Sequence, residues 1–308
     1  MNKPILIVLT GPTASGKSAL AVSLANRLNT EIISADSRQI YQGIPIATAV
    51  PTIEERQNIN HHLLEILPLD AYYSAALFKE DAMQIISGLL QQNNVAIVCG
   101  GSMLYLDCLV NGIDDLPTVP LEIRENLMNL WKTNGDAWLL QRLKELDPNY
   151  YDHVDLKNLK RVFHAIEISM TAGSPYSTLL TNKQSKSHSL PFEVVKICLE
   201  GNREQLFKRI NDRVIHMIKM GLEEEALRVY PLRHLNSLNT VGLKEMFAMF
   251  EGKLQREEAI ARIQKNTRVY AKKQSTWHKR DKNLIYLDFQ NPIKENVEKI
   301  ISLLPQKS

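Results

Sequence analysis

The sequence predicts an α/β protein in which a parallel-sheet core is interrupted by a mainly helical insertion domain. Three observations carry that expectation. Short apolar runs alternate with amphipathic segments, the order that builds a parallel sheet with right-handed crossovers. A glycine-rich turn of special form separates the first run from the first amphipathic segment. From about Asn111 to Pro191 no convincing strand occurs, and strand-like segments resume after it.

Taken in order, Pro4–Thr10 is a short apolar run closed by Gly11-Pro12 and reads as a buried strand. Lys17–Leu28 spaces Leu20, Leu24 and Leu28 four apart, with Ala21 and Ala25 beside them, as one helix face requires. Thr30–Ser34 is a second strand and ends at Asp36. A helical stretch, Ala75–Gln91, precedes a third strand, Val95–Cys99, which ends in Gly100-Gly101. Helical composition then dominates (Leu121–Lys132, Ala137–Leu146, Leu159–Thr171), and Thr181–Leu190 reads as a linker. Phe192–Leu199 and Leu284–Asp288 supply two more strands. The economical division is a discontinuous α/β core, 1–112 with 191–308, and a helical insertion, 113–190. In open parallel sheets ligands bind beyond the carboxyl ends of the strands, so Gly11, Asp36 and Gly100 should converge on one edge.

Composition narrows the class. Of 308 residues, 44% are hydrophobic and 23% charged, the mix of an ordinary globular protein of about two domains. The longest apolar runs are five residues, against roughly 20 for a bilayer span. Met1-Asn2-Lys3-Pro4 leads directly into a strand and lacks the apolar region of a secretory leader. Cys99, Cys108 and Cys198 sit among apolar neighbours without metal-ligand spacing, so they read as buried reduced thiols in a cytoplasmic chain. The overall charge of +3 is unevenly spread. Residues 262–282 carry eight basic side chains against Asp281 alone, a local +7 that leaves the rest at −4. A concentrated basic element on an acidic body points to a polyanionic partner, although a solvated helix face has the same composition.

Gly11-Pro12-Thr13-Ala14-Ser15-Gly16-Lys17-Ser18 fits G-x-x-x-x-G-K-[ST] in the strand–loop–helix context that the motif requires. The core is therefore expected to be P-loop NTPase-like, with the phosphate loop of nucleotide- and ATP-binding proteins. Loop N–H groups and the helix N-terminus present positive potential to phosphate oxygens. Lys17 adds a full charge, and the Ser18 hydroxyl can ligate Mg²⁺. Many such proteins end a second apolar strand in an acid that helps hold the metal. Here Val95–Cys99 runs into Gly100-Gly101-Ser102 instead, and Asp36 is the nearest candidate carboxylate. It could hold metal, act as a general base, or only cap a helix.

Together these segments resemble the tRNA dimethylallyltransferase (IPP transferase) family over nearly the whole chain. The resemblance rests on the phosphate loop, on Ser34-Ala35-Asp36-Ser37-Arg38-Gln39-Ile40-Tyr41, on His61-His62-Leu63-Leu64 and on Tyr73-Ser74-Ala75 with Phe78. It continues through Gly100-Gly101-Ser102-Met103-Leu104-Tyr105, Arg124, Asn158 with Arg161-Val162, and Ala165-Ile166-Glu167. Thr240-Val241-Gly242, Lys244-Glu245 and Thr267-Arg268…Tyr270-Ala271-Lys272-Lys273-Gln274…Thr276-Trp277 complete the ordered set. The chain departs from the common pattern at Ala47 and Val50, where the family has glycine and lysine, at His164 in place of arginine, and at Leu243 in place of tyrosine.

The resemblance implies transfer of a dimethylallyl group from dimethylallyl diphosphate to N6 of the adenosine 3′ of a tRNA anticodon, with Mg²⁺ as cofactor; a monomer is expected. Gly11 through Ser18 would bind diphosphate, with Thr13 and Lys17 serving the reaction, Ser18 on the metal and Asp36 as general base. The target adenosine must leave its stack to reach such a site. Asp36, Ser37, Arg38 and Gln39 would engage it, and Ser102, Arg124 and Arg161 would contact tRNA. Arg262, Lys265, Arg268 and Lys272 recur at steps of three, three and four, so Arg268, Lys272 and Lys273 are assigned to the anticodon stem. Trp277 is expected in the core. Prenylation of free AMP, ADP or ATP, a P-loop small-molecule kinase, and a non-catalytic RNA-binding protein are the competing readings.

Overall fold

The computed structural model describes residues 3–112, 114, 116–180 and 190–305. The expected linker at 181–190 lies outside the described residues except for Leu190. The chain forms two compact units, Met1–Val110 with Leu190–Ser308, and Asn111–Ser189.

The larger unit is built on a six-stranded sheet: β1 (Ile5–Thr10), β2 (Ile32–Ser34), β3 (His61–His62), β4 (Val95–Cys99), β5 (Glu193–Glu200) and β6 (Ile285–Asp288). Their order is β3-β2-β4-β1-β5-β6, and every pairing is parallel. Central β1 is buried along its whole length, as a strand covered on both faces must be. Leu6 and Val8 point to one layer with Phe78, Ala82, Ile86, Met246 and Ile263. Ile5, Ile7 and Leu9 point to the other with Leu20, Leu24, Leu206, Ile210 and Ile300. The period of two along the strand thus divides the core into its two layers. Five strands match the sequence expectation; β3 is an addition. It has two half-buried histidines on an edge, too short for a hydropathy pattern.

The register fixes the functional edge. Leu9 and Ser34 both pair with Cys99, and Thr10 pairs with Cys198. The loops leaving β1, β2 and β4 therefore start level with one another. Gly100 packs so closely on Ala35 that a Cβ there would lie 2.1 Å from the Ala35 carbonyl oxygen. The Ser102 N–H donates to that same oxygen at 3.1 Å.

The smaller unit contains helices Leu121–Leu146, Pro148–His153, Leu159–Ala172 and Tyr176–Leu179. The first is broken at Gly135, whose φ of 80° interrupts the helical backbone. Leu127, Leu139, Leu143, Val162, Phe163 and Ile166 form its apolar core. Asp147 is buried and accepts from the Tyr150 N–H, the Ser177 N–H and the Ser177 hydroxyl, which ties three segments together. Among the described residues no helix is long and apolar enough to cross a membrane.

Candidate active site

The phosphate loop begins with Gly11 at φ +152°, where a Cβ would fall 2.5 Å from the Leu199 carbonyl oxygen. Ala14 (φ 65°) and Gly16 (φ 91°) turn the chain into the Lys17–Leu28 helix. Within the loop the Ser15 N–H donates to the Pro12 carbonyl at 3.2 Å, and the loop ends at a helix N-terminus, a setting that favours phosphate oxygens. The Ser15 hydroxyl is buried with no hydrogen-bond partner among the described residues, a polar atom awaiting a ligand. Arg209 donates to the Ser15 carbonyl at 3.3 Å. Burial pushes the Lys17 ammonium pKa down, and Arg213 adds to that; Cys99, Asp36 and Cys198 oppose it. An incoming polyanion would relieve both costs to the charged lysine.

Asp36 follows β2 by two residues. Its Oδ1 accepts from the Arg38 N–H at 2.9 Å and the Gln39 N–H at 3.4 Å. These bonds shape the turn that follows β2 rather than cap a helix, and Oδ2 has no hydrogen-bond partner among the described residues. The Ser37 N–H donates to the Ser102 hydroxyl at 2.8 Å, locking the β2 and β4 loops together. Arg38 donates to the carbonyls of Asn236 (2.7 Å) and Ser237 (3.2 Å). Gln39 donates to those of Thr48 (3.0 Å) and Ala49 (2.8 Å). Arg38 and Gln39 thus brace neighbouring loops around Asp36.

Two cavities meet at this edge. One of about 330 Å³ is lined by Thr13, Asp36, Arg213, Lys244, Thr267 and Tyr270. The other, about 760 Å³, is lined by Gly16, Lys17, Ser18, Arg209, Arg213 and Met217. Arg213 and Met217 line both. Arg213 donates to the Thr13 hydroxyl at 3.2 Å. Its pKa is lowered by burial, with Asp36 and Glu55 pulling the other way. Thr13, Lys17 and Asp36 are therefore brought together as expected, and Ser18 opens onto the larger cavity.

Arg213 was not singled out from the sequence, and Tyr270 entered only as part of the basic motif, without a role. Arg209 and Arg213 lie four apart on helix Arg203–Lys219, next to the buried stripe Leu206, Ile210 and Val214. That pairing of cations beside a core stripe is the signal that could have found them. Burial, with Asp36 adding, pushes the Tyr270 pKa up to about 12, so the phenol stays a neutral donor.

Behind the loop runs a chain of neutral hydrogen bonds. Thr10 donates its one hydroxyl proton to the Gly100 carbonyl at 3.1 Å, so its Oγ faces His278 Nε2, 3.0 Å away, as an acceptor. The ring proton is therefore on Nε2, and Nδ1 faces the Cys198 thiol at 3.5 Å. Burial, and secondarily Lys17, pushes the His278 pKa down to about 4, which keeps the ring neutral. Burial also pushes Cys198 up to about 12 and Cys99 up to about 11. All three cysteines are buried, as expected.

The basic residues fall into different settings. Lys273 is exposed; Arg268 donates to Asn211, and Lys272 lies 5.5 Å over the Phe207 ring. Trp277 corrects the sequence expectation. It is 36% exposed, with Arg280 stacked 5.4 Å from its ring, because Gln274 and His278 occupy the inward face of that helix turn. In the helical unit Arg161 is exposed, and Arg124 grips Glu167 with two bonds of 2.8 and 2.9 Å. His164 donates to the same carboxylate at 2.9 Å. Burial pushes the Glu167 pKa up, but the hydrogen bonds and charges of His164 and Arg124 outweigh it and hold it low.

Comparison with known proteins gives this geometry its setting. The IPP transferase family model matches residues 39–281. The chain belongs to the IPP transferase family. It is 46% identical over 281 residues to tRNA dimethylallyltransferase 2 of Parabacteroides distasonis, covering 91% of this chain and 93% of that one. It is 44% identical over 297 residues to tRNA dimethylallyltransferase 1 of Phocaeicola vulgatus, covering 96% and 98%. Among solved structures, the tRNA isopentenylpyrophosphate transferase of Bacillus halodurans superposes with a TM-score of 0.71 at 32% identity, covering 97% and 95%. A eukaryotic dimethylallyltransferase captured acting on tRNA superposes with a TM-score of 0.82 at 25% identity, covering 99% of this chain and 81% of its own.

Proposed function

We propose that this IPP transferase family member moves a dimethylallyl group from dimethylallyl diphosphate to N6 of the adenosine on the 3′ side of a tRNA anticodon, releasing diphosphate. The observation that carries the reading is the Asp36 carboxylate, one oxygen free, on a cavity that shares Arg213 with the phosphate-loop cavity. The diphosphate would occupy the larger cavity against Gly11 through Ser18, and the extruded base the smaller one.

The adenine amine is a weak nucleophile, so holding it in line with the allylic C1 supplies much of the rate. As the N6–C1 bond forms, the C1–O bond breaks and its electron pair goes to the diphosphate. Loop N–H groups, Lys17 and Arg213 stabilise the growing negative charge, and Thr13, fixed by Arg213, orients the bridging region. The N6 proton passes to Asp36 Oδ2.

A divalent cation fits the donor set. Ser18 offers an exposed hydroxyl at the larger cavity, and no cluster of three or more His, Cys, Asp or Glu occurs among the described residues. A hard cation shared with substrate phosphates suits such a site, and we assign Mg²⁺ to Ser18. When bound it adds positive charge beside the leaving diphosphate.

We assign the anticodon stem to Arg268, Lys272 and Lys273, and further RNA contacts to Ser37, Arg38, Gln39, Ser102, Arg124 and Arg161. The helical insertion, 113–190, is their second platform, and the enzyme works as a cytoplasmic monomer. The test is stoichiometric: with labelled dimethylallyl diphosphate, diphosphate release should equal label incorporated into tRNA. ATP consumed with a small hydroxylated acceptor, and no label on RNA, would replace this reading with the kinase.

A further inference from the structure

The Arg256–His278 helix has two unlike faces at its C-terminal end. Lys272 and Lys273 are exposed, while the next residue, Gln274, is 1% exposed. A buried glutamine must satisfy both ends of its amide. Here the carbonyl oxygen accepts from the Thr13 N–H at 2.9 Å, and the NH₂ donates to the Gly101 carbonyl at 2.9 Å. One side chain therefore spans the phosphate loop and the loop after β4, from residues 261 and 173 positions away. Gly101 makes room for it: a Cβ there would lie 2.5 Å from Gln274 Nε2 and 3.7 Å from the Lys17 side chain. One turn further on, His278 binds the end of β1 through Thr10.

This gives Thr13 two partners from distant parts of the chain. Its N–H donates to Gln274 and its hydroxyl oxygen accepts from Arg213, so the loop's shape depends on the seating of a helix far along the chain. The same helix turn holds the cations assigned above to RNA. We propose that Gln274 is a positioning residue that couples RNA bound on the outer face of the Arg256–His278 helix to diphosphate bound in the phosphate loop. The inference rests on the tRNA reading of that face. Phosphates engaging Lys272 and Lys273 favour the seated helix, and the seated helix fixes Thr13 in the form that receives diphosphate. Each ligand prefers the same state, so each must strengthen the other's binding by the same factor.

The test measures the affinity of inorganic pyrophosphate with and without an unmodified anticodon stem-loop RNA. In the wild type, saturating RNA should raise that affinity by about fivefold or more. Gln274→Ala and the bulkier Gln274→Met should bring the factor below about twofold, with RNA affinity alone changed less than about twofold. A side chain that merely supported the fold would lower both affinities and leave their ratio intact. Hydrogen exchange on the wild type needs no variant: RNA should slow exchange at the Thr13 amide. Coupling retained in Gln274→Met, or Thr13 exchange unchanged by RNA, overturns the proposal. A wild type that binds RNA and pyrophosphate independently also overturns it while leaving the transferase reading intact. A wild type that binds no RNA at low salt removes both.

Discussion

The Arg213 guanidinium donates to the Thr13 hydroxyl across 3.2 Å, although 200 residues separate them in sequence. This contact joins the phosphate loop to the helix that lines both cavities, and it sets a half-buried cation on the cavity that Asp36 also lines. On the proposed reading, charge building on a leaving diphosphate would meet a fixed partner that the loop motif alone does not provide.

Removing that partner should slow the chemical step. Arg213→Ala is expected to lower the single-turnover transfer rate by roughly 10²–10³-fold. Arg213→Lys keeps the charge but loses the planar fork, and should recover only part of the rate. A wild-type rate in Arg213→Ala would show that the guanidinium only braces Thr13.

Asp36 is assigned the proton. Asp36→Ala should cut transfer by roughly 10²–10⁴-fold, the usual contribution of a general base. Pyrophosphate affinity should stay within a few fold, because the phosphate loop makes those contacts. Isothermal titration alongside the transfer assay separates the two effects. Turnover near the wild-type level in this variant removes the base assignment.

The basic helix should govern the salt dependence of RNA binding. Changing Lys272 and Lys273 together to Ala is expected to weaken tRNA binding and flatten the log–log salt slope by roughly 1–2. Filter binding across a salt series reads it directly. An unchanged slope would identify these lysines as a solvated surface.

His278 predicts a pH dependence of stability. The ring titrates near 6.5 when free and near 4 in the fold. Between those values the unfolded chain binds more protons, so stability is full above about pH 6.5 and declines as pH falls towards 4. The loss from this ring alone is on the order of 3 kcal/mol. Urea unfolding of wild type and His278→Gln should show a shallower decline in the variant over that window, and equal slopes would contradict the neutral buried ring.

In the helical unit, the buried Glu167 carboxylate depends on Arg124 and His164. Arg124→Ala should destabilise that unit by about 2 kcal/mol, since it leaves a buried charge short of its main partner. Hydrogen exchange within Leu159–Ala172 reports it. Unaltered exchange, combined with weaker tRNA binding, would mean that Arg124 acts on RNA alone.

Much of this was legible before any coordinates because the informative patterns are local. The run Ile5–Leu9 specifies its own strand, the motif Gly11–Ser18 marks where the phosphate loop lies, and the separate helical patterns ending at Lys132 and starting at Ala137 anticipate the break at Gly135. The rest is set by partners distant in the chain. Arg213 reads as one more helix charge until folding brings it to Thr13, and the His61–His62 strand exists only because β2 offers an edge. Trp277 misled because apolar residues on a helix usually face inward. At that turn the inward positions belong to Gln274 and His278, whose buried hydrogen bonds tie the sheet edge together.

The most direct measurement incubates the purified protein with Mg²⁺, labelled dimethylallyl diphosphate and, in parallel, unmodified tRNA, AMP or ATP, then digests each acceptor and weighs its nucleosides. The account predicts N6-dimethylallyl-adenosine from tRNA alone, at the position 3′ of the anticodon. Product on AMP or ATP, or none on tRNA, would contradict it.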